Sequence, residues 1–304
     1  MNVIYVFLTM DTRKIVKAGP SSHTVSLPKK WLVKHKLGKG STVVLIEQGA
    51  GVIITPDPNE LKPVLREKTI SVDKKGLDTI GRELASAYMN NYSTISFAGD
   101  DVQESAKELR KLLRDFAGLE IVEQGGKKLV AQDLLNLKEV SIDKTLRRMD
   151  MTIRSMFEDS IAGVSSEGIA LRDYDINRMF FLVARLVRGS LQDSALAAHF
   201  GMTNGQLFES WRFAHALEGV ADGLKNAVSL GLKQNDVCKS IDALYRDAVK
   251  AYFANDAALA DVVAKKRDIK LVVAKTPAQT ELNAQFRRIL DEISTIALIV
   301  IDNS

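Results

Sequence analysis

The residues with the clearest chemical potential in this 304-residue chain are cations crowded into one short stretch. Between Asp11 and Gly40 stand Arg13, Lys14, Lys17, Lys29, Lys30, Lys34, Lys36 and Lys39, with Asp11 as the one acid, a local balance of +7. The whole chain carries only +4, so the remainder sums to about −3. Cations at that density suit a phosphate backbone, because each lysine or arginine that reaches a phosphate releases condensed counterions. The same density also serves a solvated face, and charge alone leaves both open. Catalytic chemistry is poorly supplied. There are four histidines, Cys238 has none nearby in sequence, and no local motif joins a nucleophile, a base and oxyanion donors. The GKGS string at 38–41 lacks the spacing of a phosphate-cradling loop and reads as a turn after a helix.

Composition sets the frame for these residues. With 46% apolar and 26% charged positions the chain can bury sizeable cores, and it reads as a multidomain α+β protein. A single cysteine cannot form an intramolecular disulfide or a cysteine-based zinc cage, which fits a reducing compartment, the cytoplasm by default. The apolar opening MNVIYVFLTM has no basic flank and meets Asp11 too soon to span a bilayer, so no membrane insertion is expected.

Three segments follow from local pattern. Residues 1–60 hold a strand in RKIVKAG, a second in TVSLP, a helix of about two turns opened by Pro28 and closed by Gly38, and a hairpin across Gly49, Ala50 and Gly51. About 45 residues without disulfide or metal seldom enclose enough core to stand alone, so pairing as a homodimer is expected. Residues 66–137 alternate strand and helix in the order β-α-β-α-β-β, which predicts a small α+β layer of ferredoxin-like type with both helices on one sheet face. Residues 138–304 carry helical apolar stripes at about 141–163, 170–193, 204–229, 232–254, 256–273 and 277–301, which predicts tandem three-helix bundles. Within them, SALAAHFGMTNGQLFESW looks like a helix-turn-helix reader but has no lysine or arginine before Arg212, so packing is the expected role of His199 and Phe200.

The string RKIVKAGPSSHTVSLPKKWLVKHKLGKGSTVVLIEQGAGVIITP resembles the swapped-hairpin DNA-binding domain of the AbrB/SpoVT/MazE superfamily, most specifically in its strand, SLPKKW and GKGS succession. The resemblance extends to the archaeal branch in which this domain precedes a PhoU-like helical region, the phosphate uptake regulators. It implies an intertwined dimer whose hairpins complete one β-barrel, with double-stranded DNA as partner. Carried over, it makes Arg13, Lys14 and Lys17 the first DNA contacts and Lys29 and Lys30 the next, with Trp31 as a core anchor. It further implies transcriptional regulation linked to phosphate uptake, or alternatively an adaptor that restrains a phosphate transporter or signalling kinase without touching DNA.

PhoU-like bundles carry an acidic residue and an aspartate four apart on their helices, and in known members these hold iron or zinc. Glu218 and Asp222 match that motif, with His215 one turn earlier on the same helix side. The companion helix offers Asp173 and Asp175, with Asn177 where the motif expects its second acid; the terminal helix offers Asp291, four after Arg287. The resemblance thus names Glu218, Asp222, Asp173, Asp175, His215 and Asp291 as ligands of a divalent metal such as iron, zinc or magnesium, with those two departures from the pattern.

Overall fold

The computed structural model describes residues 11–48, 51–57, 66–164, 166–232, 236–266 and 276–303. The chain is mixed α+β and about 63% helical, and its described strands form small sheets with no closed barrel within one chain. It divides into two compact units, one within 1–62 and one from 63 onward.

The first unit is made of short pieces. Strand β1 (Val16–Lys17) pairs antiparallel with β2 (His23–Thr24), and helix α1 (Lys29–Lys34) follows Pro28. Strands β3 (Val43–Gln48) and β4 (Gly51–Pro56) pair antiparallel from Val43 opposite Pro56 to Gln48 opposite Gly51, a register that leaves two residues for the connection; Gly49 and Ala50 themselves lie outside the described residues. The closing of α1 differs from expectation. Lys36, at φ 55°, makes the left-handed turn, and the Leu37 amide bonds back to the Leu32 carbonyl at 2.9 Å. Gly38 instead donates its amide to the Ser41 hydroxyl, while Gly40, at φ 89°, makes the next bend.

The second unit opens with β5 (Glu67–Ser71), α2 (Leu77–Met89), β6 (Thr94–Ala98), α3 (Val102–Arg114), β7 (Leu119–Gln124) and β8 (Lys128–Asp133). The element order is the expected one, but the sheet is not of ferredoxin type. Its order is β5-β6-β8-β7, with β5 and β6 parallel neighbours and β8 antiparallel to both β6 and β7. A ferredoxin-type sheet is antiparallel throughout. Here α2 returns the chain beside β5 in a parallel crossover, and the tight β7-β8 hairpin through Gly125 and Gly126 drops β8 into the gap left by α3. Ile70, Ile95, Phe97, Leu129 and Ala131 lie on one sheet face by this register, and the buried faces of both helices share their core: Ile80, Leu84, Leu109 and Leu113.

Helices fill the rest. They are α4 (Ile142–Ala162), α5 (Ser166–Gln192), α6 (Ser194–Phe200), α7 (Asn204–Ser229), α8 (Asp236–Ala254), α9 (Ala257–Lys265) and α10 (Pro277–Ile301), after a single 3₁₀ turn at Leu137–Glu139. Local chemistry sets their ends. Ser141 caps α4, Gly163 closes it at φ 71°, a reciprocal Thr203–Gln206 capping box opens α7, and Thr276 with Pro277 opens α10. Helix α6 is a short addition to the six expected helices, and 267–273 of the expected fifth helix lie outside the described residues.

Helices α4, α5 and α7 pack on one another, as do α8, α9 and α10, and the α7–α10 contact merges the two sets into one continuous core. Two glycines permit that close approach. A Cβ on Gly223 would stand 2.5 Å from Ile289 Cγ1, and one on Gly219 would stand 2.8 Å from Glu292 Cδ.

Helix α5 also packs on α2, so the sheet layer and the helices form one body. Phe116 of the layer stacks obliquely between Tyr88 and Phe181 of α5, at 5.0 and 4.9 Å. Arg185 of α5 crosses the same boundary. Its Nε donates to Asn91 at 2.8 Å, Nη2 donates to Asp133, and its guanidinium lies 4.6 Å from the Tyr88 ring centre. No described helix is long and apolar enough to cross a membrane.

Candidate functional site

In the first unit the five residues expected to contact DNA are all exposed. They are not equivalent. Arg13 forks onto its neighbour Asp11, with Nη1 at 2.7 Å and Nη2 at 2.5 Å from the two carboxylate oxygens. Lys14, Lys17, Lys29 and Lys30 have no ion pair among the described residues. Lys14 precedes β1, Lys17 ends it, and Lys29 and Lys30 form the first turn of α1, where Pro28 fixes the entry. Unpaired, exposed ammonium groups are the ones able to exchange water and counterions for phosphate oxygens.

The apolar side chains around them are left in the open. Ile15 is 74% exposed, Val33 68%, Leu45 64% and Val16 59%, and among the described residues of this unit only Pro56 is buried. Trp31 is half-buried beside His35, their ring centres 5.2 Å apart. At about 25 cal/mol per Å² of apolar surface, this is a large favourable term that the single chain forgoes.

In the second unit the acidic residues named for a metal fall into two groups. Asp173, Glu218 and Asp222 meet where α5, α7 and α10 pack; Asp175 and Asp291 are exposed elsewhere on their helices. Cations already sit among the first group. Lys225 donates to Asp173 at 2.8 Å and to Asp222 at 2.7 Å, and Arg288 reaches Asp222 at 2.9 Å. Asn177 completes the arrangement, donating to Asp173 at 3.4 Å, and Asn226 donates to Asp222 at 3.3 Å.

The electrostatics follow from burial and these partners. Burial pushes Glu218 above its ordinary value, helped by the Asp222 and Asp173 charges and opposed by His215 and Arg288. Burial also works against the Asp222 carboxylate, yet Lys225 and Arg288 outweigh it and hold that group below its ordinary value. Burial raises Glu292 likewise, against the pull of His215 and Arg288. His215 is exposed, edge-on to Phe180 at 5.9 Å and to Trp211 at 6.1 Å.

Lys225 and Arg288 thus supply the cationic partners of these carboxylates in this structure. One buried oxygen of Asp173, Oδ1, lacks a partner, while Oδ2 accepts from Lys225 at 2.8 Å. Among the described residues no group of three His, Cys, Asp or Glu side chains is close enough to hold a metal ion. Lys225 was legible in sequence only as the residue three after Asp222. Arg288 carried no such signal, since its neighbour Arg287 occupies the motif position.

The helix-turn-helix look-alike is packed into the helical core through Ala197 and Leu207. His199 Nε2 lies 2.8 Å from the Lys138 carbonyl. Cys238 is buried, and its thiol is pushed up to about 12 by desolvation and the Asp242 charge, the opposite of an activated nucleophile. Comparison with protein-family models, with curated proteins and with solved structures found no match to this chain.

Proposed function

We propose that the protein is a DNA-binding transcriptional regulator acting as a homodimer, with residues 11–57 of two copies completing one swapped-hairpin barrel of the AbrB type. The helical region would act as a PhoU-like sensing or docking part linked to phosphate uptake. The observation that carries this reading is the open first unit: exposed Ile15, Val16, Val33 and Leu45 stand beside four lysines without acidic partners. A second copy supplies the missing apolar contact, and pairing doubles the number of cations offered to one duplex. A ligand or partner on the helical region alters DNA affinity only if it binds one arrangement of the pair better than another.

The test is duplex binding by the full chain across a salt series. Four free lysines per chain, eight per dimer, give a slope of log affinity on log salt of about −7. Lys29→Glu with Lys30→Glu removes half of those contacts, so the slope falls to about half that value. A monomeric chain in dilute solution, or a duplex affinity indifferent to both salt and the charge reversals, refutes the reading. That second outcome points to the adaptor alternative.

A further inference from the structure

A cleft lies between the sheet layer and α5. Its volume is about 530 Å³, within the range of small-molecule sites. Two helices present paired side chains to it: α3 contributes Arg110 and Arg114, and α5 contributes Tyr174 and Arg178, each pair four residues apart and therefore on one helix face.

None of the three guanidinium groups makes a direct ion pair among the described residues, although the Arg178 charge favours the Asp115 carboxylate against its burial. Arg110 donates to the neutral amide of Gln124. Arg114 makes no ion pair among the described residues, and Arg178 has its Nε buried with no hydrogen-bond partner. Acids nearby are Glu120, exposed on the lining, and the half-buried Asp115. Three cations against two carboxylates leave one positive charge over, and like charges four apart on a helix repel unless an anion joins them. A buried guanidinium N–H without an acceptor is a costly group to leave unmade.

We infer that this cleft binds a phosphate-bearing anion, held by Arg110, Arg114 and Arg178. Guanidinium forks match the oxygen geometry of a phosphoryl group, and the cleft has room for a phosphomonoester as well as for inorganic phosphate. Because its walls come from α3 and β7 on one side and α5 on the other, the ligand ties the sheet layer to the helices. The site is independent of DNA binding by the first unit.

The experiment is titration calorimetry of the full chain with inorganic phosphate, with adenosine monophosphate and with chloride as the control anion. Saturable binding of either phosphate compound, absent with chloride, is expected, and the tighter of the two identifies the source of the phosphoryl group. Arg114→Gln, on the exposed face, is expected to weaken binding about 10- to 100-fold, as loss of a charged hydrogen bond does. Arg178→Lys keeps the charge but loses the Nε donor and is expected to weaken binding similarly, with circular dichroism unchanged. Lys107→Gln removes a charge from the same helix outside the cleft and should leave affinity within twofold. No saturable binding by the wild-type chain, or equal losses in Arg114→Gln and Lys107→Gln, overturns the assignment.

Discussion

Replacing Arg185 by methionine removes a guanidinium that joins the sheet layer to α5 from inside their shared boundary. Its side chain is 3% exposed and that of its partner Asp133 is 9% exposed, so neither group can turn to water when the other is lost. Breaking a buried pair by removing one member costs about 3–5 kcal/mol. The wild-type arrangement is itself imperfect, because Arg185 Nη1 is buried without an acceptor, and methionine relieves that cost of about 1 kcal/mol or more. What remains for the stranded Asp133 carboxylate is the Leu135 amide at 3.1 Å. The net loss is therefore about 2–4 kcal/mol, a shift of about 1 M in the urea midpoint for a slope of about 3 kcal/mol per M. Removing both charges, Arg185→Met with Asp133→Leu, leaves no stranded ion and should cost less than Arg185→Met alone, a coupling of about 1.5 kcal/mol or more. Urea unfolding followed by circular dichroism and by tyrosine fluorescence measures both, and amide exchange should rise first in β6 and β8. A loss under about 0.5 kcal/mol for Arg185→Met, or strictly additive single losses, would refute the view that this pair holds the layers together.

Other perturbations test the helical packing and its charges. Gly223→Ala sets a methyl 2.5 Å from the buried Ile289, so α7 and α10 must part and thermal unfolding should report a loss of about 1–3 kcal/mol. Gly219→Ala sets a methyl 2.8 Å from Cγ and Cδ of the half-buried Glu292, a side chain that can swing aside more readily than Ile289, so its loss should be smaller than that of Gly223→Ala. Glu218 has a folded value raised above its unfolded one, so its contribution is present at low pH and lost as pH rises through the folded value. Glu218→Gln should accordingly raise the melting temperature at about pH 7 and leave it unchanged at about pH 4. Asp222 is held low and has the opposite sign: its contribution is present above the unfolded value and lost as pH falls through the folded one, so Asp222→Asn should destabilise at about pH 7 and progressively less in acid. Cys238, buried and with its thiol pushed up to about 12, should resist maleimide in the native protein at about pH 8 and react on unfolding, as mass spectrometry would show.

Local chemistry was readable along the chain because it acts over a few residues. The bounds of α7 and α10 match the stripes at 204–229 and 277–301, since Thr203 with Gln206 and Thr276 with Pro277 write helix starts into adjacent positions. Strands β5 to β8 likewise fall where the β-branched runs lie. The position of β8 between β6 and β7 was not readable. It depends on which strand edge is still open after α3 has crossed, a matter of three-dimensional order that no local pattern carries.

The functional residues divide in the same way. Eight cations within 11–40 are visible as a count, and the apolar excess of the first unit as a matter of size. That Asp11 claims Arg13 while Lys14, Lys17, Lys29 and Lys30 stay unpaired is settled by backbone geometry. The Glu218–Asp222 spacing is likewise plain in the string, whereas the ammonium of Lys225 bridging two helices to Asp173 comes only from their crossing. Arg110, Arg114, Tyr174 and Arg178 lie 60 residues apart or more across the two helices and line one cleft only because α5 packs against the sheet layer. Side-chain identity fixes what a residue can bond; packing between distant elements fixes what it does bond, because short-range electrostatic and hydrogen-bond forces act across ångströms of space rather than along the chain.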